Sequence, residues 1–309
     1  MIYHFILNPK SGRSRKHHAI EDVIKSACTK RQLSYHIYYT TCPGDATEYV
    51  ASMVRISKDK QRFICIGGDG TLHEIVNSAP CNPNVEFGII PNGSGNDFVR
   101  NFTNTELFSK IEAQLDGEPV SLDLIKCNDT YSVNMVNIGF DCAVAKEAAT
   151  LKKNKLTSPG FAYTLGVLKV VFRKIGRKMR IIFDDGEIWD EEFTLTAIGN
   201  GKFCGGGYCA TPRALLDDGI MDLCAIKKIS RFTLFNLIKY YQNGTYLEKE
   251  EALKVITYTR LSHFRIEFDS PEPICIDGEI MGARSIDFSL VKNAFNFVIP
   301  KGSDFKYKT

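Results

Sequence analysis

Two kinds of apolar patterning divide the chain. In the first third, short unbroken apolar runs alternate with helical stretches, and residues 2–7, 35–40, 63–66 and 86–90 read as strands. Asn8-Pro9 halts the first strand, and Asp45 with Glu48 forms a capping box that opens a helix reaching Ile56. Strands that alternate with helices predict a parallel, helix-covered sheet. Past Leu122 the helical intervals thin out, and residues 121–125, 131–138, 179–183, 193–198, 219–226, 264–268, 286–290 and 295–299 read as strands. Asn128-Asp129 and Asp185-Gly186 supply turns, and Asp-Gly between two apolar runs is a strong hairpin signal. The pattern therefore predicts an α/β domain over 1–121 and a β-rich domain, a sandwich, over 122–309. The extreme C-terminus is expected to pack back on the first domain.

The organising stretch is Gly67-Gly68-Asp69-Gly70-Thr71-Leu72-His73-Glu74, where an apolar strand ends in three glycines within four positions. Glycines at a strand-to-helix turn let backbone approach a ligand closely. Thr71 and Glu74 stand three apart as a capping box, so a helix N-terminus is expected at Thr71, with free N–H groups suited to a phosphate. Asp69 does not fit simple anion binding. A carboxylate there implies Mg²⁺ or a donor that itself touches the nucleotide. The stretch is neither a Walker A loop nor a dinucleotide G-x-G-x-x-G fingerprint.

A second Gly-rich loop, Pro91-Asn92-Gly93-Ser94-Gly95-Asn96-Asp97-Phe98, leaves the strand at 86–90. Loops leaving neighbouring parallel strands face one crevice at the sheet's carboxyl edge. The basic loop Lys10-Ser11-Gly12-Arg13, after the first strand, belongs at the same edge and places Lys10 or Arg13 near phosphate.

Composition narrows the class. A formal net charge of +3 is too small to mark a nucleic-acid binder, and no nucleic-acid partner is expected. Ten cysteines carry no C-x-x-C pair, so neither zinc nor a disulfide framework is indicated and the thiols read as reduced and cytosolic. No basic leader opens the chain and no apolar run spans a membrane. Between Lys146 and Arg180 ten basic residues face one acidic residue, Glu147, with Phe161, Leu165, Leu168 and Phe172 interleaved at helical spacing. Two readings stand: an amphipathic core helix with a solvated cationic face, or a surface for anionic lipid.

The two Gly-rich loops at this interval resemble the diacylglycerol kinase catalytic domain, in particular the soluble bacterial lipid kinases related to NAD kinases and phosphofructokinases. The resemblance covers nearly the whole chain. It implies a three-layer α/β phosphofructokinase-like domain followed by a β-sandwich, and transfer of phosphoryl from ATP to a lipid hydroxyl, most simply that of diacylglycerol. It assigns nucleotide contacts to Asn8, Lys10, Ser11, Gly12, Thr41, Gly67, Gly68, Gly70, Thr71, Asn92, Gly93, Ser94, Gly95, Asn96, Asp97 and Asp123, with Asp69 organising catalytic Mg²⁺. The acidic loop Leu215-Leu216-Asp217-Asp218-Gly219-Ile220-Met221-Asp222 is similar to one that holds a structural Mg²⁺, which carries over to the Asp218 side chain and the carbonyls of Leu215 and Ile220. Cys275-Ile276-Asp277-Gly278-Glu279 repeats a D-G-E motif and makes Glu279 the general base, although the local residues alone read as a hairpin turn with Glu279 exposed. A membrane lipid substrate, peripheral contact with an anionic membrane and a homodimer complete the expectation. Rival readings are a kinase of a soluble acceptor such as a nicotinamide dinucleotide, and a nucleotide sensor without turnover.

Overall fold

The chain is described by a computed structural model that covers residues 1–11, 17–139 and 176–308. Gly12, Arg13 and the basic interval up to residue 175 lie outside the described residues. The described chain divides into two units, Met1–Leu124 with Lys292–Thr309, and Ile125–Val291.

In the first unit β1 (Ile2–Leu7) lies between β2 (Ser34–Tyr39) and β3 (Gln61–Gly67), and β4 (Val85–Pro91) lies beyond β3, all parallel. A parallel sheet buries both faces, which is why β1, β3 and β4 read as apolar runs rather than alternating ones, while β2, at the edge, stays half-exposed. The end of β15 (Glu279–Ile299) adds to β4 in parallel, pairing Asn296 with Glu86. Helix α1 (His17–Lys30) packs on α4 (Ile111–Leu115), and α2 (Asp45–Ile56) packs on α3 (Asp69–Ser78). On the α1 side the core is built from Phe5, Leu7, Ile64, Ile66, Ile24 and Cys28.

β3 starts two residues before its apolar run. Buried Arg62 donates through Nε to Glu86 at 2.7 Å and through Nη1 to the carbonyls of Gln114 and Leu115, so a charged residue joins the strand fully partnered. The tail is held by aromatic packing: Phe98, Phe102, Phe108, Phe297 and Phe305 are all buried, with Phe102 5.5 Å from Phe297 and 5.3 Å from Phe305 between ring centroids.

Both expected capping boxes are absent. α3 begins at Asp69, two residues before Thr71, with Gly68 at its N-cap, and the Thr71 hydroxyl accepts instead from Asn8. α2 is capped by Gly44 in the left-handed region (φ 85°), and Asp45 turns back to accept from the Thr41 N–H at 2.7 Å, the Thr41 hydroxyl and the Tyr38 hydroxyl.

The second unit is antiparallel. β5 (Glu118–Cys127) runs into it and pairs with β6 (Thr130–Ser132). β7 (Met135–Gly139), β9 (Ile188–Gly199), β12 (Met221–Lys227) and β13 (Ile256–Leu261) pair in sequence, and β14 (His263–Ile276) joins β7, β8 (Arg177–Phe183) and β15. The short strands β10 (Phe203–Cys204) and β11 (Tyr208–Cys209) form a ladder of their own. One core gathers Ile138, Ile198, Leu223, Phe264, Ile274 and Phe288, and another gathers Leu195, Cys224, Leu234, Leu237, Tyr241 and Tyr246.

Four differences from the sequence pattern have physical causes. The run 131–138 is broken into β6 and β7 because the amides between them donate to Asp277. The runs at 286–290 and 295–299 are one strand, β15, which passes Asn293 in the left-handed region at φ 52°. The strand expected from Gly219 starts only at Met221, since Gly219 holds φ 76°. Helix α5 (Arg231–Asn243) follows β12, capped by the Ser230 side chain, which accepts from Thr233 N–H, and closed by Gly244 at φ 72°. Its inward residues Leu234, Leu237 and Tyr241 keep helical spacing, but Phe232 and Phe235 on the opposite side hide the periodicity.

Candidate nucleotide site

β1 connects to β2 on one side of itself, and β2 then crosses back to β3 on the other, so the order of the parallel strands reverses between β1 and β3. Open α/β sheets bind ligands outside the carboxyl ends of strands at such a point. Here the loops after β1, β2, β3 and β4 are tied into one web. Asn8 donates from Nδ2 to Thr71 Oγ1 at 3.2 Å and accepts at Oδ1 from the Lys10 N–H at 3.0 Å. Lys10 Nζ donates to the Thr41 carbonyl at 3.2 Å, and Asn92 donates from Nδ2 to the Ser11 carbonyl at 3.1 Å. The Asn92 N–H reaches the Gly67 carbonyl at 2.7 Å.

The glycines are required by close approach. A Cβ on Gly93 would lie 2.5 Å from the Gly68 Cα, and one on Gly67 would lie 2.5 Å from Thr71 Oγ1. No side chain fits at either distance. Asn96, at φ 51°, then closes the second loop on itself, accepting at Oδ1 from the Gly93 N–H at 2.9 Å and donating to the Gly93 carbonyl at 3.1 Å.

Asp69 is the pin between the loops. Its Oδ2 accepts from the Asp97 N–H at 3.1 Å and its Oδ1 from the Phe98 N–H at 3.2 Å. A Cβ on Gly95 would lie 3.1 Å from Asp97 Oδ2 and 3.2 Å from Asp69 Oδ2, so two carboxylate oxygens converge on one glycine. Arg100 pairs with the other oxygen of Asp97 at 3.2 Å. Arg100 already supplies a cation to Asp97, and the carboxylate oxygens of Asp69 and Asp97 are the hard donors that a divalent ion takes. By donor chemistry the residues present fit Mg²⁺ at Asp69 and Asp97. Asp123, 2% exposed, accepts from the Asn293 N–H at 2.8 Å and so fixes the left-handed residue within β15.

In the second unit Asp277 and Gly278 form a two-residue hairpin turn between β14 and β15, both at positive φ (48° and 98°), with Ile276 paired to Glu279. That is the mirror-image turn favoured by the twist of a hairpin. Asp277 does more than turn the chain. Its carboxylate accepts from the Ser132 hydroxyl at 2.8 Å and from the N–H groups of Val133, Asn134 and Met135 at 2.7, 3.0 and 2.9 Å. Glu279, two residues on, is exposed. The segment 132–135 was not singled out by sequence, which read 131–138 as one strand.

The Leu215 to Asp222 loop holds its charge differently from the expectation. Asp218 accepts at Oδ1 from the Ile220 N–H at 3.1 Å, and its Oδ2 pairs with the Arg260 guanidinium. Arg260 also lies 3.4 Å from Asp222, which is fully buried and accepts from the Tyr258 hydroxyl. Burial pushes the Asp222 carboxyl up to about 6, against the opposing pull of Tyr258 and Arg260. The side chain expected to ligate structural Mg²⁺ thus pairs with a guanidinium in this structure. Among the described residues no cluster of three His, Cys, Asp or Glu side chains is set for a metal.

Comparison with known proteins covers most of the chain. The profile of the diacylglycerol kinase catalytic domain matches residues 3–127, and that of the YegS C-terminal NAD kinase beta sandwich-like domain matches 134–299. A "Probable lipid kinase YegS-like" of Shewanella frigidimarina (strain NCIMB 400) is 30% identical over 79% of this chain and 78% of its own length. A diacylglycerol kinase of Staphylococcus carnosus (strain TM300) is 27% identical over 96% and 94%. A solved structure from Bacillus anthracis str. Sterne shares the fold, with a TM-score of 0.77 at 24% identity and coverage of 97% and 95%.

Proposed function

The chain belongs to the diacylglycerol kinase catalytic-domain family with a YegS-type C-terminal domain, and on that premise we propose that it moves the γ-phosphoryl of ATP to the hydroxyl of a membrane lipid, diacylglycerol being the first acceptor to test. The observation that carries this reading is Asp69 holding two Gly-rich loops edge to edge.

Phosphoryl transfer is mostly positioning and charge neutralisation. Gly68, Gly70, Thr71 and Ser94 cradle phosphate oxygens, with Asn8 and Lys10 setting the edge of the cradle. Asp69 and Asp97 hold Mg²⁺, which when bound neutralises charge on the phosphates. Glu279 takes the proton of the acceptor hydroxyl as the hydroxyl oxygen bonds to the γ-phosphorus and the bond from that phosphorus to the β–γ bridging oxygen breaks, releasing ADP. Asp277, engaged by four donors, positions that hairpin and does not itself take the proton. No helix among the described residues is long and apolar enough to cross a membrane. A peripheral enzyme in the cytoplasm, visiting anionic membrane and working as a homodimer, fits that substrate class.

Incubation with γ-labelled ATP and, separately, dispersed diacylglycerol or a nicotinamide dinucleotide tests the reading. Label that enters the organic phase only with lipid supports it. Label that stays aqueous with the dinucleotide overturns it.

A further inference from the structure

Phe232 is 76% exposed and Phe235 77% exposed, on a helix whose Leu234, Leu237 and Tyr241 are turned inward. Leu234, Leu237 and Tyr241 pack into the core, which points Phe232, Phe235 and Lys239, at i, i+3 and i+7, along one outward stripe. Arg231 and Lys239 are the only charged residues of α5, and no acidic residue occurs in it. The preceding Lys227 and Lys228 are matched by Glu191 and Glu192 at 2.9 and 2.5 Å. Acidic residues resume only beyond the Gly244 cap, at Glu248, Glu250 and Glu251. Two bare aromatic rings flanked by cations, with carboxylates held to the far end, form an amphipathic surface of the interfacial kind.

We propose that the outward stripe of α5 docks on an anionic phospholipid bilayer, with Phe232 and Phe235 entering the headgroup–acyl boundary and Lys239 meeting lipid phosphates. Charge chooses the occupant: a protein partner would accept either sign, whereas a stripe with cations and no carboxylate complements an anionic bilayer. The docking rests on the lipid-kinase reading for its source of bilayer, and it assigns the surface to the second unit. Aromatic side chains suit the site because a ring partitions favourably at the membrane–water boundary.

The test is co-sedimentation of the full chain with phosphatidylcholine vesicles and with mixed phosphatidylcholine–phosphatidylglycerol vesicles, without ATP. Binding is expected to the mixed vesicles, weakened about tenfold or more by Phe232→Ser with Phe235→Ser. Lys239→Glu should weaken binding to the mixed vesicles only, by roughly an order of magnitude. Since both rings are exposed, melting of the variants should match wild type. In a Phe235→Trp variant, added vesicles should shift tryptophan emission to the blue, relative to wild type with its single tryptophan, Trp189. Equal binding of the double-serine variant, absence of wild-type binding, or no such shift in the Phe235→Trp variant overturns the proposal. So does a double variant that loses self-association while keeping vesicle binding, because the stripe would then face a second copy of the chain. Vesicle binding needs no turnover, so docking and kinase activity fail independently.

Discussion

Gly68 and Gly93 meet backbone to backbone: a Cβ on Gly93 would lie 2.5 Å from the Gly68 Cα. The two Gly-rich loops are therefore one structure, and their contact leaves no room for a side chain. Gly93→Ala should force them apart and cost about 1–3 kcal/mol, the usual range for overpacking, together with most ATP affinity. Gly282→Ala is the matched control, since nothing lies within 4 Å of a Cβ there. Urea unfolding and ATP titration of both variants check the contrast, and equal behaviour would contradict it.

Asp69 has two jobs that substitution can separate. Asp69→Ala removes the acceptors for the Asp97 and Phe98 N–H groups, so it should lower stability by about 1–3 kcal/mol as well as abolish turnover. Asp69→Asn keeps one acceptor oxygen and loses the charge. It should recover part of the stability while kcat stays down by about 10² or more. Full turnover in Asp69→Asn would remove the charge role.

Two buried groups make opposite demands on pH. His4, stacked 4.5 Å from Phe63, is held down to about 4 by burial and by His36. A folded pKa below the unfolded value means stability is lost as pH falls from about 6.5 towards 4. Asp222, raised from 3.8 to about 6 by burial, works the other way, and its stability contribution is lost as pH rises through that range. Asp222→Asn keeps an acceptor for the Tyr258 hydroxyl and cannot ionise. Measured by urea unfolding, its stability relative to wild type should improve as pH rises from 4 to above 6 and then level off. A difference that stays flat with pH would contradict the buried carboxyl.

Arg260 pairs with Asp218, the carboxylate expected to ligate a structural Mg²⁺. With Arg260 in the ion's place, wild-type melting should be the same in Mg²⁺ and in chelator, whereas an ion bound at this loop would stabilise by mass action. Arg260→Gln should lower the melting temperature and leave Asp218 beside the buried Asp222 carboxyl without its cation. A wild-type melting point that falls in chelator would restore the ion at this loop.

How far the sequence carried follows from where each cause lies. β1, β3 and β4 were readable because both of their faces are buried, so each carries an apolar run, whereas the edge strand β2 is only half-buried. The two Gly-rich loops were readable because backbone contact between Gly68 and Gly93 admits only glycine. The break between β6 and β7 was not, because its cause is Asp277, more than 140 positions along the chain from Val133. Both capping boxes failed for a related reason: Asp45 and Thr71 bond to Thr41 and Asn8 of neighbouring loops instead of to their own helices. α5 escaped because Phe232 and Phe235 break its polar face. Burial of Asp222 beside exposed Asp217 was equally hidden, since the two are chemically identical in a line of residues.

The central claim is that Glu279 takes the proton of a lipid hydroxyl while the loop pair holds ATP. An alcohol is too weak an acid to lose that proton unaided at neutral pH, and a positioned base contributes about 10²–10⁴ in rate. The exposed Glu279 has no packing to lose, whereas Asp277 is engaged by four donors and its substitution should unfold the hairpin before it informs on chemistry. The decisive measurement is transfer of label from γ-labelled ATP to extracted lipid by wild type and by Glu279→Gln, with ATP affinity measured on both. The account predicts a loss of about 10² or more in kcat for Glu279→Gln with unchanged ATP affinity. Full kcat in Glu279→Gln would contradict it.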